Sequence, residues 1–259
     1  MTTTTATPAP ALPASPGRGG STRRRTALVA GALYLVTFVT SIPALALYDP
    51  VLHHPDFVLG AGPGTGILVG GLLEVVMAAA AIGTAVVLFP VVKRQNEAVA
   101  LGFVTARVVE AGIIVLGVVS LLSVLTLRGD LHTTGDHTAL RVAGESLVAV
   151  HDWTFLLGPG VIPAVNALCL GYLLYRSRLV PRAIPALGLL GAPLLVGSAV
   201  AVMFGVYGQV STESALATLP IALWEASLGG WLVLKGFRPS PILAAATPVA
   251  ACSGPDAIA

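Results

Sequence analysis

Charge is what this chain has least of. Only 10% of its 259 residues are Asp, Glu, Lys or Arg, against 55% hydrophobic ones, and the mean hydropathy is +0.88. A soluble domain of this length could not cover such a core with so few charged side chains. The composition therefore excludes the soluble globular class and points to a chain that lies in a lipid bilayer. Cysteine is nearly missing. Cys169 falls inside an apolar run and Cys252 near the C-terminus, a spacing that offers neither a disulfide nor a zinc site, so Cys169 reads as a small packing residue. Familiar catalytic patterns are absent as well. There is no His-Glu-x-x-His and no Gly-x-Ser-x-Gly, and the glycine-rich stretch 60–66 lacks the Lys-Ser/Thr pair of a phosphate loop. The arginines gather at the ends of apolar runs, where membrane orientation explains them better than nucleic acid does. No catalytic residue, metal ligand, cofactor or nucleic-acid partner is assigned from these patterns.

What is present is a series of long apolar runs. A bilayer needs about 20 consecutive apolar residues per helix. Six runs meet that length, over about 26–48, 67–89, 98–127, 144–175, 183–207 and 214–234. They predict an all-α, polytopic membrane bundle of six transmembrane helices between disordered tails at 1–25 and 237–259, which are rich in Thr, Ala, Pro, Ser and Gly. The first run has a rival reading as a signal peptide, with Arg23-Arg24-Arg25 ahead of it and Pro43-Ala44-Leu45-Ala46 as a small-residue cleavage site. Its apolar core is longer than such segments usually have. Pro90 is expected to end the second helix and residues 128–143 to form a polar loop. Gly158-Pro159-Gly160 and Pro163 should break the fourth run. Ser211-Thr212-Glu213 reads as a helix start ahead of the sixth.

The basic residues orient the bundle. Eleven of the 14 lysines and arginines fall on the side that holds both termini, and Arg128 and Arg141 fall on the other. That bias predicts cytoplasmic termini and insertion in the bacterial inner membrane. The opposite side collects acids and all five histidines. Two groups there, His53-His54-Pro55-Asp56 and Asp130, His132, Asp136, His137, could offer imidazole and carboxylate to a metal, although their spacing matches no metal motif and solvated loop residues explain them better.

A few charges lie within the apolar runs, and they are the candidate centre. Arg107 and Glu110 sit mid-run at a spacing that places them on one helical face. Glu74, Asp152 and Glu225 each lie in another run. An arginine in hydrocarbon costs a few kcal/mol even by the lowest scales, so these residues should face the bundle interior and meet there. Gly66, Gly70, Glu74 and Ala78 are four apart, a small-residue stripe that would turn Glu74 toward a neighbouring helix. Asp152, Phe155, Pro159, Pro163 and Asn166 would share one face. His151 could act as a proton relay or ligand, but His151 and Asp152 point about 100° apart and should not pair with each other. Trp224 is too central for an interfacial belt, which leaves packing or lining as its role.

The stretch His151-Asp152-Trp153-Thr154-Phe155-Leu156-Leu157-Gly158-Pro159-Gly160, the later Gly171-Tyr172-Leu173-Leu174-Tyr175-Arg176-Ser177 and the Arg107-Val108-Val109-Glu110 core resemble a bacterial multi-span membrane family, domain of unknown function 4386. The similarity runs from about Arg24 to Gly236. It implies six spans and adds no substrate, cofactor or site residue. The candidate ligand or ion centre read from the residues themselves is Glu74, Arg107, Glu110, His151, Asp152 and Glu225. The favoured function is binding or transport of a small solute, ion or proton. The alternatives are an intramembrane enzyme built on His151 and nearby acids, and a non-catalytic scaffold held by Arg107. The expected partners are the bilayer and an unidentified small solute or ion, and a homodimer is compatible with so few spans.

Overall fold

In the computed structural model, residues 18–60, 62–129 and 136–244 are described. They form α1 (Arg18–His53), a 3-10 helix (Pro55–Leu59), α2 (Thr65–Val92), α3 (Glu97–Gly129), α4 (His137–Leu157), α5 (Ile162–Ser177), α6 (Ala183–Met203), α7 (Thr212–Leu234) and a final helical turn at Pro241–Ala244. Among the described residues there is no strand. Six helical segments, with α4 and α5 counted as one, are long and apolar enough to cross a membrane, as the apolar runs predict. The helices pack as a closed ring, α1–α2–α3–α5–α6–α7, with α4 against α3.

Lipid tails are as apolar as leucine, so helices in a bilayer gain little from hiding greasy side chains from one another. Close backbone approach and internal hydrogen bonds hold them instead. The ring follows that rule. Large side chains such as Leu72, Val86, Leu116 and Leu190 point outward, while the buried positions are rich in alanine and glycine. A methyl group on Gly31 of α1 would lie 2.7 Å from the Gly229 carbonyl oxygen of α7, so those two backbones touch. Gly188 of α6 faces the indole of the fully buried Trp224 at a distance that leaves no room for a Cβ. Trp224 is thus a packing residue of the core.

The ends of the helices depart from expectation, each for a hydrogen-bonding reason. α1 begins at Arg18, ahead of the expected start at Thr26. Its arginines serve carbonyls that would otherwise be open. Arg24 donates to the carbonyls of Leu232 and Val233 at the end of α7, 3.1 and 2.6 Å away, and Arg23 donates to Leu243 at 2.7 Å. Residues 237–244, assigned to a tail, fold back on the end of α5. The Arg238 amide donates to Leu179 (2.8 Å) and the Ser240 hydroxyl to the carbonyl of Ser177 (2.5 Å). These contacts also show that the N- and C-terminal ends of the described chain lie on one side. The remainder of both tails lies outside the described residues. α2 continues through Pro90 to Val92, because proline removes only its own amide and clashes one turn back. α4 starts at His137, within the stretch expected to be loop, where the Asp136 carboxylate accepts from the amides of Thr138 and Ala139 at 3.0 and 3.1 Å. α6 ends at Met203, earlier than expected, and α7 begins beside Ser211, whose hydroxyl caps it.

The break at 158–161 positions the centre of the molecule. Pro159 has no amide to donate. The Gly158 amide reaches Thr154 (2.8 Å), the Gly160 amide reaches Phe155 (3.0 Å), and the Ile162 amide returns to Gly158 (2.9 Å). A side chain at Gly160 would sit 2.3 Å from the Leu156 carbonyl, and one at Gly158 would strike Ile113 of α3. This close approach brings the broken segment against α3.

The α1–α7 contact generates a prediction. Overpacking a tight contact costs about 1–3 kcal/mol. Gly31→Ala should therefore lower the melting temperature of the detergent-solubilised protein by several degrees. Gly112→Ala, at a position with open space around it, should leave it unchanged.

Candidate functional site

The charged residues of the interior form two groups. The first is built on Arg107, which is 3% exposed. Its Nη1 donates to Glu110 Oε2, one turn along α3, at 3.0 Å, and its Nη2 donates to Glu225 Oε1 of α7 at 2.6 Å. Asn166 Nδ2 of α5 donates to the same Glu110 oxygen at 2.7 Å. The guanidinium also stands over the ring of Tyr34 in α1, 5.2 Å from its centroid. Four helices, α1, α3, α5 and α7, thus meet at one cation. The group is not saturated: Arg107 Nε and Asn166 Oδ1 are buried without a hydrogen-bond partner. One guanidinium against two carboxylates leaves one formal negative charge when all three are ionised. A buried surplus of that kind calls for a positive partner, a proton or a cation.

The second group lies toward the loop side of the bundle. Tyr48 of α1 donates its hydroxyl to Glu74 Oε2 of α2 at 3.1 Å. Gly70, one turn before Glu74, leaves the space that the Tyr48 ring occupies, and Gly66 approaches the Leu47 carbonyl. The small-residue stripe does turn Glu74 into the α1–α2 interface. His151 of α4, 4% exposed, meets the Tyr48 ring edge-on with centroids 5.6 Å apart and stacks on Phe155 at 6.3 Å. Gly117 of α3 admits it: a Cβ there would fall 3.4 Å from His151 Cδ2 and 2.7 Å from the Thr154 hydroxyl. Gly117 lies seven residues beyond Glu110, roughly 10 Å along the helix axis at 1.5 Å per residue.

The expectation that all the buried charges share one centre is therefore corrected. Arg107, Glu110 and Glu225 come together, Glu74 and His151 sit apart from them, and Asp152 belongs to neither. The Asp152 side chain is 59% exposed, on the outer flank of α4 beside His53, His54 and Glu145. Its Oδ1 is 3.6 Å from His151 Nδ1, beyond hydrogen-bond reach, so the two form no dyad. Asp152 and Phe155 belong to α4 but Asn166 belongs to α5. A single helical period cannot be carried across the break between them, and the face assumed to hold all five residues does not exist. Asn166, Tyr34 and Tyr48 were not among the expected site residues. A signal for Tyr48 was present, since a hydroxyl inside an apolar span needs a partner, whereas the Tyr34 hydroxyl is buried without one and its ring serves Arg107 instead.

Both groups open on cavities. Arg107, Glu110 and Glu225 line one of about 190 Å³, to which α2 adds Met77 and Ala81 and α6 adds Leu195. Tyr48, Glu74 and His151 line a larger one of about 570 Å³, whose remaining wall is mostly apolar. The two share Ser41, Met77, Pro159, Leu195, Thr218 and Ala222, so they adjoin at the helix break. On the loop side, His53 Nδ1 lies 3.1 Å from Asp49 Oδ1, while Asp56 is engaged by Arg141. No three His, Cys, Asp or Glu residues converge as a metal site among the described residues. Asp130 and His132 lie outside them.

The chain belongs to the family described as Domain of unknown function (DUF4386), which matches residues 29–236. Comparison with curated proteins finds no match, and neither does comparison with solved structures.

The geometry of the first group predicts its mutational response. Removing one partner from a buried ion pair costs about 3–5 kcal/mol, because the remaining charge is left unmet, whereas apolar replacement of the whole set is often neutral. Arg107→Leu alone should strongly destabilise the purified protein in thermal unfolding. Arg107→Leu combined with Glu110→Leu and Glu225→Leu should recover most of that loss.

Proposed function

We propose that this member of the DUF4386 family binds, and carries across the membrane, a small solute, ion or proton, with Arg107, Glu110 and Glu225 as its charged centre. The termini face the cytoplasm and the membrane is the bacterial inner membrane, a reading supported by the lysine and arginine bias. The observation that carries the functional reading is the cavity beside the surplus carboxylate. The centre's acids border a cavity, and that cavity adjoins a larger chamber at the helix break. A broken helix lining a cavity is the setting in which irregular backbone is tolerated at membrane depth, and it recurs at the substrate sites of membrane carriers.

The enzyme reading has less support. A histidine base is held in its working tautomer by a third group hydrogen-bonded to its other nitrogen. His151 Nδ1 has no such partner, and its ring is packed between Tyr48 and Phe155. The scaffold reading draws on the three helices, α3, α5 and α7, that the hydrogen bonds of Arg107 and Glu110 join. It is separated from ours by function rather than by stability.

In liposomes with an internal pH-sensitive dye, or with radiolabelled monovalent cations outside, the wild-type chain should give a flux that Glu110→Gln reduces at least tenfold. Asp152→Asn should leave that flux intact. No flux for protons or any cation tested, or an equal flux from Glu110→Gln, would overturn the transport reading. A C-terminal fluorescent fusion, with alkaline phosphatase at the same position inactive, is the expected outcome for orientation.

A further inference from the structure

The larger cavity has three properties that together specify an occupant. Its wall is chiefly apolar, with Ile42, Leu45, Met77, Phe155, Leu195 and Val202 among its lining. Its one carboxylate, Glu74, borders it beside the His151 imidazole and the Tyr48 hydroxyl, and Glu110 and Glu225 face the adjoining space with only Arg107 against them. With these acids and Arg107 ionised and His151 neutral, the two adjoining chambers carry a formal charge of minus two. They therefore favour a cation over an anion. Two aromatic rings, Tyr48 and Phe155, flank the Glu74 end, where a cation over a ring face gains further.

The third property is the exposure of part of its wall. α1 and α7 touch at Gly31 and Gly229, on the side of the termini. Farther along, both helices supply residues to the cavity, and several of these are exposed: Ile42 at 67% and Leu45 at 37% on α1, and Leu219 at 48% on α7. The exposed part of the lining thus includes the apolar flanks of α1 and α7 as well as the loop ahead of α7, where Val210 is 77% exposed. Exposed apolar lining favours a ligand that dissolves in the bilayer over a fully hydrated inorganic ion.

We propose that this chamber is a binding site for a lipophilic organic monocation, with an aryl or alkyl body against the apolar wall and its onium or ammonium group beside Glu74. The assignment rests on the binding reading given above and narrows it to a substrate class. Its volume of about 570 Å³ suits such a ligand, since small-molecule sites run at about 300–1,000 Å³. Glu74 is the specificity residue: its carboxylate is held by the Tyr48 hydroxyl at 3.1 Å and faces a chamber whose other polar groups include the hydroxyls of Ser198, Ser214 and Thr218.

The test is equilibrium dialysis of the full chain in nanodiscs, with empty nanodiscs as background. The probes are tetraphenylphosphonium and tetraphenylborate, which share a shape and differ in sign. Saturable, one-to-one binding of the phosphonium is expected, weakened at least tenfold by Glu74→Gln and unaffected by Asp152→Asn. Ala222→Phe, which adds bulk to the wall that both chambers share, should weaken it as well, and monodisperse elution of each variant checks folding. Equal binding of both probes, indifferent to Glu74→Gln, would mark a groove for acyl chains and overturn the proposal. Absence of saturable phosphonium binding would also overturn it. If Glu110-dependent flux in liposomes persisted in that case, only the organic-cation assignment would fall, and if that flux were absent too, the transport reading would fall with it.

Discussion

The bundle depends on one interaction, the enclosure of the Arg107 guanidinium. A cation on the third of six spans must be met inside the protein, because the surrounding lipid offers it nothing. It is met from α3 by Glu110, from α7 by Glu225 and from α1 by the face of Tyr34, with Asn166 of α5 steadying Glu110. These helices are distant in sequence. One buried charge thereby sets which helices adjoin at the middle of the bundle and how they are rotated about their axes. Hydrophobic burial could not do this in lipid, where outward and inward apolar faces are nearly equivalent.

Around that clamp the rest of the molecule divides by side. Toward the termini, the packing is close: Gly31 on Gly229, Gly188 on Trp224, and Arg23 and Arg24 on carbonyls at the end of the bundle. On the loop side the contacts loosen. α4 leans on α3 through Ser120 and Gly117, the break at 158–161 shifts α5 relative to α4, and a chamber remains between the helices. Rigidity at one end and space at the other follow from where the sequence places its paired glycines and its Gly-Pro-Gly interruption.

Two carboxylates for one guanidinium is an unusual arrangement if structure were the sole purpose. A neutral pair would hold the helices with less desolvation, and apolar side chains would hold them with none. The surplus acid borders a cavity instead of ending against packed side chains, and a second acid, Glu74, borders the next chamber. An interior with more carboxylates than guanidinium groups, beside a chamber of largely apolar wall, is suited to accept positive charge.

Much of this was legible in the residues alone. Six apolar runs, the paired spacing of Arg107 with Glu110, the small-residue stripe that turns Glu74 inward and the Gly-Pro-Gly interruption are local properties, governed by span length, helical period and the chemistry of proline. Helix ends were less legible, since they depend on partners such as the carbonyls of α7 that hold Arg24. The partition of the charges into two groups was not legible at all. Depth along a helix axis and rotation about it are set by which helices adjoin, and a period read across the 158–161 break assigned Asp152 to a face it does not share with Asn166. Sequence by itself determined how many spans there are and which side chains could not face lipid, because both follow from the energetics of single segments in hydrocarbon. Only the tertiary structure decided which of those side chains meet, and that space remains between them, because contact and void belong to pairs of helices and not to any one of them.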